Sequence, residues 1–151
     1  MEKEISVERL VERYRYGHCY AFAMAMTREY GTGIGAIVVD LVKGGRHVVH
    51  AYCLNGDLMF DAGGRVDDAH LFETYLDGPY KKRYTNFVLT QFGNEAEFLA
   101  AMSLYAQEAG KGLEFDEFRP HLEDLAEKAR SHLKYLDEAR ILASESSGMR
   151  P

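Results

Sequence analysis

Tryptophan is absent from the 151 residues, proline occurs three times and cysteine twice. Two cysteines do not make the disulfide framework of a small secreted domain, so the apolar core has to hold the fold, and reduced thiols suit a cytoplasmic setting. No apolar run approaches the ~20 residues of a membrane helix. The first residues, Met1-Glu2-Lys3-Glu4-Ile5, are charged where a secretory signal is apolar. A cytoplasmic protein without a membrane partner is the expectation. Positive charge is scarce as well. The net charge is −6, and the one basic cluster, Lys81-Lys82-Arg83, is too short to follow a phosphate backbone. It reads as a solvated turn, and no nucleic-acid partner is expected. Internal repeats and low-complexity linkers are also missing.

What is present is the material of one globular domain: 46% apolar and 28% charged residues. Ile5, Val7, Leu10, Val11 and Tyr14 recur at helical spacing and predict a short amphipathic helix over residues 5–15. Tyr16-Gly17-His18 breaks it. A second helix, apolar on most sides and therefore buried, is predicted from Cys19 to about Arg28, with Gly31 as its C-terminal cap. Strands are predicted over 34–42, 47–54 and 57–62, joined by Gly44-Gly45 and by Asn55-Gly56, the strongest short hairpin signal. Gly63-Gly64 is expected to stop the sheet. A short helix over 67–76 ends at Asp77-Gly78-Pro79, and a fourth strand covers 84–92. The remainder is helical: 94–109, capped by Asn94, and a long helix starting at Pro120 and running to about Ala143. Its stripe of Leu122, Leu125, Ala129, Leu133, Leu136 and Ile141 suits core contact or a homo-oligomer face. The predicted class is α+β, an antiparallel β-meander with helices gathered on it. It forms a single domain divided into 1–92, a catalytic-type core, 93–146, a helical portion, and 147–151, a tail.

The second hairpin carries the sharpest expectation. A two-residue loop at Asn55-Gly56 pairs Leu54 with Asp57, and counting outwards sets Cys53 opposite Leu58, Tyr52 opposite Met59 and His50 opposite Asp61. Opposed residues share a face, with Cβ atoms ~5 Å apart, and a slip of one residue would part them. A carboxylate beside an imidazole fixes its tautomer and stabilises its charged form. Cys19, after Gly17-His18 and at a helix start, is the matching nucleophile, because a helix N-terminus and a neighbouring imidazolium both favour thiolate. The amide of Cys19 or Tyr20 is the candidate oxyanion donor. His18, Tyr20, Tyr52 and Met59 are the candidate cleft residues.

Tyr16-Gly17-His18-Cys19-Tyr20-Ala21-Phe22-Ala23, with His50-Ala51-Tyr52 and Phe60-Asp61-Ala62-Gly63 downstream, resembles the transglutaminase-like branch of the papain-fold superfamily. The resemblance covers about residues 14–64. It implies a papain-like core with Cys19 as nucleophile, His50 as acid and base, and Asp61 as orienting residue. It also implies a thiol hydrolase or acyltransferase acting on amide bonds of a protein or peptide: a peptidase, glutamine deamidase or transamidase, with no cofactor or metal. The chain departs from the pattern in lacking Trp, in the short spacing from Cys19 to His50, and in carrying His18 where transglutaminases often have Gln.

Each residue also has a plainer reading. Cysteine is among the most buried residue types, His50 alone could be a satisfied strand histidine, and Asp61 alone could cap a turn. Cys53 lies an odd number of positions from His50. It should face the other side of the sheet, as a core residue, and so cannot join His50 on a zinc ion without a bulge in the strand. His70, His121 and His132 read as surface. The rival functions are a non-catalytic binding or assembly module, and a regulatory or toxin-type protein whose helical half holds a partner.

Overall fold

Residues 6–145 are described by a computed structural model, so Ile5 and the tail at 147–151 lie outside the described residues. The first helix, α1 (Val7–Arg15), starts at Ser6, whose Oγ accepts the Arg9 N–H at 3.2 Å. It buries Leu10 and Tyr14. After the Tyr16-Gly17-His18 break comes α2 (Cys19–Tyr30), in which Cys19 and every residue from Ala21 to Met26 are buried. Alanine makes that possible, since it lets neighbouring backbones approach from several sides. Gly31 closes the helix in the left-handed region at φ 72°, where a side chain would be strained. On the last turn of α2, Arg28 binds Glu95 at 2.7 Å, Glu123 at 2.5 Å and Glu127 at 2.8 Å, fastening the helix to the C-terminal helices.

The sheet contains β1 (Gly33–Leu41), β2 (Arg46–Asn55), β3 (Leu58–Asp61), β4 (Gly64–Arg65) and β5 (Tyr84–Phe92), in the order β4-β3-β2-β1-β5. All pairings are antiparallel. Alternation along β1 sends Ile34, Ala36 and Val38 into the main core with α2, and Ile37 and Val39 into a second core with Tyr52, Val66, Leu71 and Leu76. The sheet is therefore covered on both faces. Helices α4 (Glu95–Glu108), α5 (Gly112–His132) and α6 (Asp137–Ser144) complete the main core. The short α3 (Asp68–Leu71), continued by a π-helical turn over Phe72–Leu76, supplies Leu71 and Leu76 to the second core. The class is thus α+β, with a five-stranded antiparallel sheet. No helix among the described residues is long and apolar enough to cross a membrane.

Several expectations need correction. The β2–β3 hairpin pairs Asn55 with Leu58, Leu54 with Met59 and Cys53 with Phe60, so its loop is Gly56-Asp57 and His50 does not stand directly opposite Asp61. Gly56 takes the positive φ, 61°, at the first loop position, and no non-glycine residue among those described has a positive φ. Asn55 stays in the strand, where its side chain is bonded to α6. Gly63-Gly64 does not stop the sheet. The chain turns there and Gly64 pairs back with Asp61.

The strands do not form a simple meander, because β5 crosses to the far side and pairs along β1. The edge beyond β3 is taken by β4 and α6, while the most apolar strand, β1, still needs a second neighbour. The long helix does not begin at Pro120. It begins at Gly112, with Pro120 inside it, and ends at His132. Pro120 and Asp116 sit on the exposed face of the helix, away from the core, where the carbonyl left without its N–H donor is tolerated. A 3₁₀ turn over Leu133–Tyr135 then separates α5 from α6, and Ile141 is exposed and out of the core stripe. His132 is not a free surface residue, since its Nδ1 is bonded to the Tyr14 hydroxyl at 2.7 Å.

Candidate active site

Three elements meet at the open side of β2. β3 pairs with β2 only over Cys53–Asn55, so the strand is uncovered at Ala51 and the N-terminus of α2 fits there. Cys19 is the first residue of α2, because His18 is held outside the helix at φ −119°, ψ 31°. No side chain caps the first amides of the helix. The Cys19 Sγ accepts the Ala51 N–H at 3.4 Å, which seats the thiol beside the neighbouring residue, His50.

His50 Nε2 and Asp61 Oδ2 are 3.2 Å apart and both side chains are buried. The pair survives the corrected hairpin register because the shift is two residues, which preserves the face. A diagonal pair replaces an opposed one. A β-bulge helps to aim the ring: Ile37 pairs with His50 and Val38 with Val48, leaving Val49 as the extra residue next to His50. His50 Nδ1 has no hydrogen-bond partner. The Cys19 thiol lies close enough to raise the imidazole pKa, but is not aligned as a formed hydrogen bond.

Asp61 is held by more than His50. Its Oδ1 accepts the Gly63 N–H at 2.8 Å, and its Oδ2 lies 3.4 Å from the Tyr75 hydroxyl. That hydroxyl is also 3.2 Å from the Arg15 carbonyl. Arg15 adds a cationic neighbour, and its side chain lies across Gly63, where a Cβ would come within 2.7 Å of Arg15 Cδ. Burial pushes the Asp61 carboxyl up, but the hydrogen bond and charge of His50, the Gly63 amide and Arg15 outweigh it and leave its pKa lowered. For His50 burial is again the largest influence and pulls the pKa down. The hydrogen bond of Asp61, the nearness of the Cys19 thiol and the charge of both reverse it, and the net shift is upward. These directions favour an imidazolium–carboxylate pair.

Tyr75 completes the site. Its ring stacks on His50 at 3.9 Å between centroids and 13° between planes, and burial next to Asp61 raises its pKa, so it stays a protonated donor. Sequence spacing gave no sign of Tyr75 or Arg15. Tyr75 reaches the ring through the π-helical turn, and Arg15 belongs to a different helix from Cys19. Of the other candidates, Tyr52 stacks beside His50 at 6.3 Å, and half-buried Met59 shares its apolar cluster. His18 and Tyr20 turn elsewhere. The His18 ring lies between Tyr14 at 6.4 Å and Tyr20 at 6.2 Å. Its pKa is lowered by burial and then by Arg13, Lys128 and His121. Tyr20 meets the edge of Phe118. Cys53 is fully buried in the main core, on the face away from His50, and burial pushes its thiol pKa up.

His50 is 0% exposed, Asp61 1% and Cys19 5%. All three are therefore buried, Cys19 the least of them. Protein-family models, curated proteins and solved structures were all compared with the chain, and none matches.

Proposed function

We propose that the chain is a thiol hydrolase or acyltransferase acting on amide bonds of a protein or peptide, with Cys19 as nucleophile, His50 as acid and base, and Asp61 as orienting residue. One observation carries the reading: His50 gives Nε2 to Asp61 at 3.2 Å and keeps Nδ1 unpaired beside the Cys19 thiol. A buried imidazole nitrogen without a partner costs free energy, and a proton relay accounts for it. The Cys19 proton rests on His50 Nδ1, giving a thiolate–imidazolium pair, and the Cys19 thiolate attacks the acyl carbon. The C–N bond then breaks as His50 returns the proton to the leaving amine. Water, or a second amine, takes the acyl group from the thioester. The uncapped first amides of α2, at Cys19 and Tyr20, suit the developing oxyanion. A papain-like or transglutaminase-like core and a cytoplasmic setting with reduced thiols belong to the same reading.

A second reading, a non-catalytic binding or assembly module, is favoured by the burial of His50 beneath Tyr75. Alkylation of each cysteine by iodoacetamide from pH 5 to 9, read by mass spectrometry, separates the two. The catalytic reading expects Cys19 to react at neutral pH, at least tenfold faster in wild type than in His50→Ala, while Cys53 stays protected. A Cys19 that is inert, or indifferent to His50, overturns it and leaves the binding module.

A further inference from the structure

We infer that the groove between the β1–β2 hairpin and the α4–α5 junction binds a small amphipathic organic anion, an acidic head group on an apolar body. The groove measures about 1030 Å³, at the upper end of small-molecule sites. None of Cys19, His50 and Asp61 lines it. Its floor is apolar, built on Met102 with Tyr105 and Phe115, and the two rings are only 8% and 9% exposed.

The rim has the opposite sign to the rest of the molecule. Lys43, Arg46, Arg83 and Lys111 line it against Glu108 and Glu114, in a chain of net charge −6. Arg46 is already satisfied. It is bonded to Glu108 through Nε at 2.9 Å and Nη2 at 2.5 Å, and lies over the Tyr105 ring at 4.6 Å. Lys43, Arg83 and Lys111 make no ion pair among the described residues. Their field is felt inside the groove. His47, on the same wall, has its pKa lowered by burial and then by Lys111 and Lys43. The 21-residue α5 starts on this rim, with no side chain capping Lys111, so its positive end adds to the field. Crowded cations call for an anion, and an apolar floor beneath them calls for more than a hydrated inorganic ion.

The test uses the intact chain, with 1-anilinonaphthalene-8-sulfonate as the fluorescent anion and decanoate as competitor, both followed by titration calorimetry. One saturable site is expected, with decanoate displacing the dye and decanol and inorganic phosphate failing to do so. Lys43→Glu/Lys111→Glu should weaken both ligands at least tenfold with an unchanged circular dichroism spectrum. Arg83→Glu, at an exposed position, should do the same should the double variant fail to fold. Unchanged affinity in the charge-reversed variants overturns the site. So does absence of saturable binding, displacement by decanol as good as by decanoate, or displacement by phosphate alone.

Discussion

The Tyr75 ring lies flat on the His50 imidazole, 3.9 Å away, while its hydroxyl reaches the carboxylate that holds the same imidazole. One side chain therefore fixes both members of the pair and also roofs them. The two roles separate by mutation. Tyr75→Phe keeps the roof and loses the donor, and should cost about 1 kcal/mol of stability with Cys19 alkylation little changed. Tyr75→Ala removes the roof, and should cost about 3 kcal/mol. It should also raise the rate with a bulky maleimide relative to iodoacetamide. Urea unfolding and mass spectrometry read the two effects. Equal size discrimination in wild type and Tyr75→Ala would show that the roof does not limit access.

The paired shifts of His50 and Asp61 set a pH window for stability. The folded His50 pKa is raised above its ordinary 6.5, so its contribution is complete below that value and is lost as pH rises through the raised one. The folded Asp61 pKa is lowered below 3.8, so its contribution is complete above that value and is lost as pH falls through the lowered one. The pair supports the fold best between the two ordinary values. The stability difference between wild type and His50→Gln, from urea midpoints at pH 5.5 to 8.5, should be largest at the acid end and shrink above pH 6.5. A difference that grows with pH would mean that His50 is buried as the neutral ring.

Two glycines near the site should respond differently to the same added methyl. A Cβ at Gly35 would come within 2.2 Å of the Tyr52 ring, and Tyr52 is 1% exposed with no room to turn. Gly35→Ala should therefore cost about 2–3 kcal/mol. A Cβ at Gly63 meets the flexible Arg15 side chain instead, and Asp61 Oδ1 at 3.2 Å, at a backbone conformation that other residues adopt. Gly63→Ala should cost under about 1 kcal/mol but move Arg15 away from Asp61. Its signature is slower Cys19 alkylation at an unchanged melting temperature, and Arg15→Met should reproduce it.

Cys19 and the His50–Asp61 pair were legible because both rest on local rules: a glycine-broken helix start, and alternation along a hairpin. The exact register was not legible. Asn-Gly signals a turn without saying which residue enters the loop, and the answer depended on what the Asn55 side chain does elsewhere. The shift was even, so the facing of His50 and Asp61 survived it. The placement of β5 beside β1, the run of α5 through Pro120 and the arrival of Tyr75 over His50 are tertiary outcomes. They depend on which edge is already covered, which helix face is wet and how a π-helical turn rotates its last residues. No spacing within the chain encodes those.

Asn55 gives the register a test of its own. Its Nδ2 lies 2.8, 3.2 and 2.7 Å from the carbonyls of Leu142, Ala143 and Glu145, so a strand residue serves as the C-terminal cap of α6. Those carbonyls end a helix, where partial negative charge collects. Asn55→Ala should remove the side-chain donor these carbonyls share, leaving Leu142 its Glu145 N–H, and cost about 1–3 kcal/mol, with faster amide exchange confined to residues 137–145 and the β3–β4 edge that α6 covers. Asn55→Asp should be worse than alanine, because a carboxylate would face carbonyl oxygens at the negative end of the helix. Had Asn55 been in the loop, as the dipeptide alone suggests, the aspartate would be the milder change, since Asp-Gly serves the turn nearly as well as Asn-Gly. The order of the two variants therefore reports directly which pairing the hairpin uses.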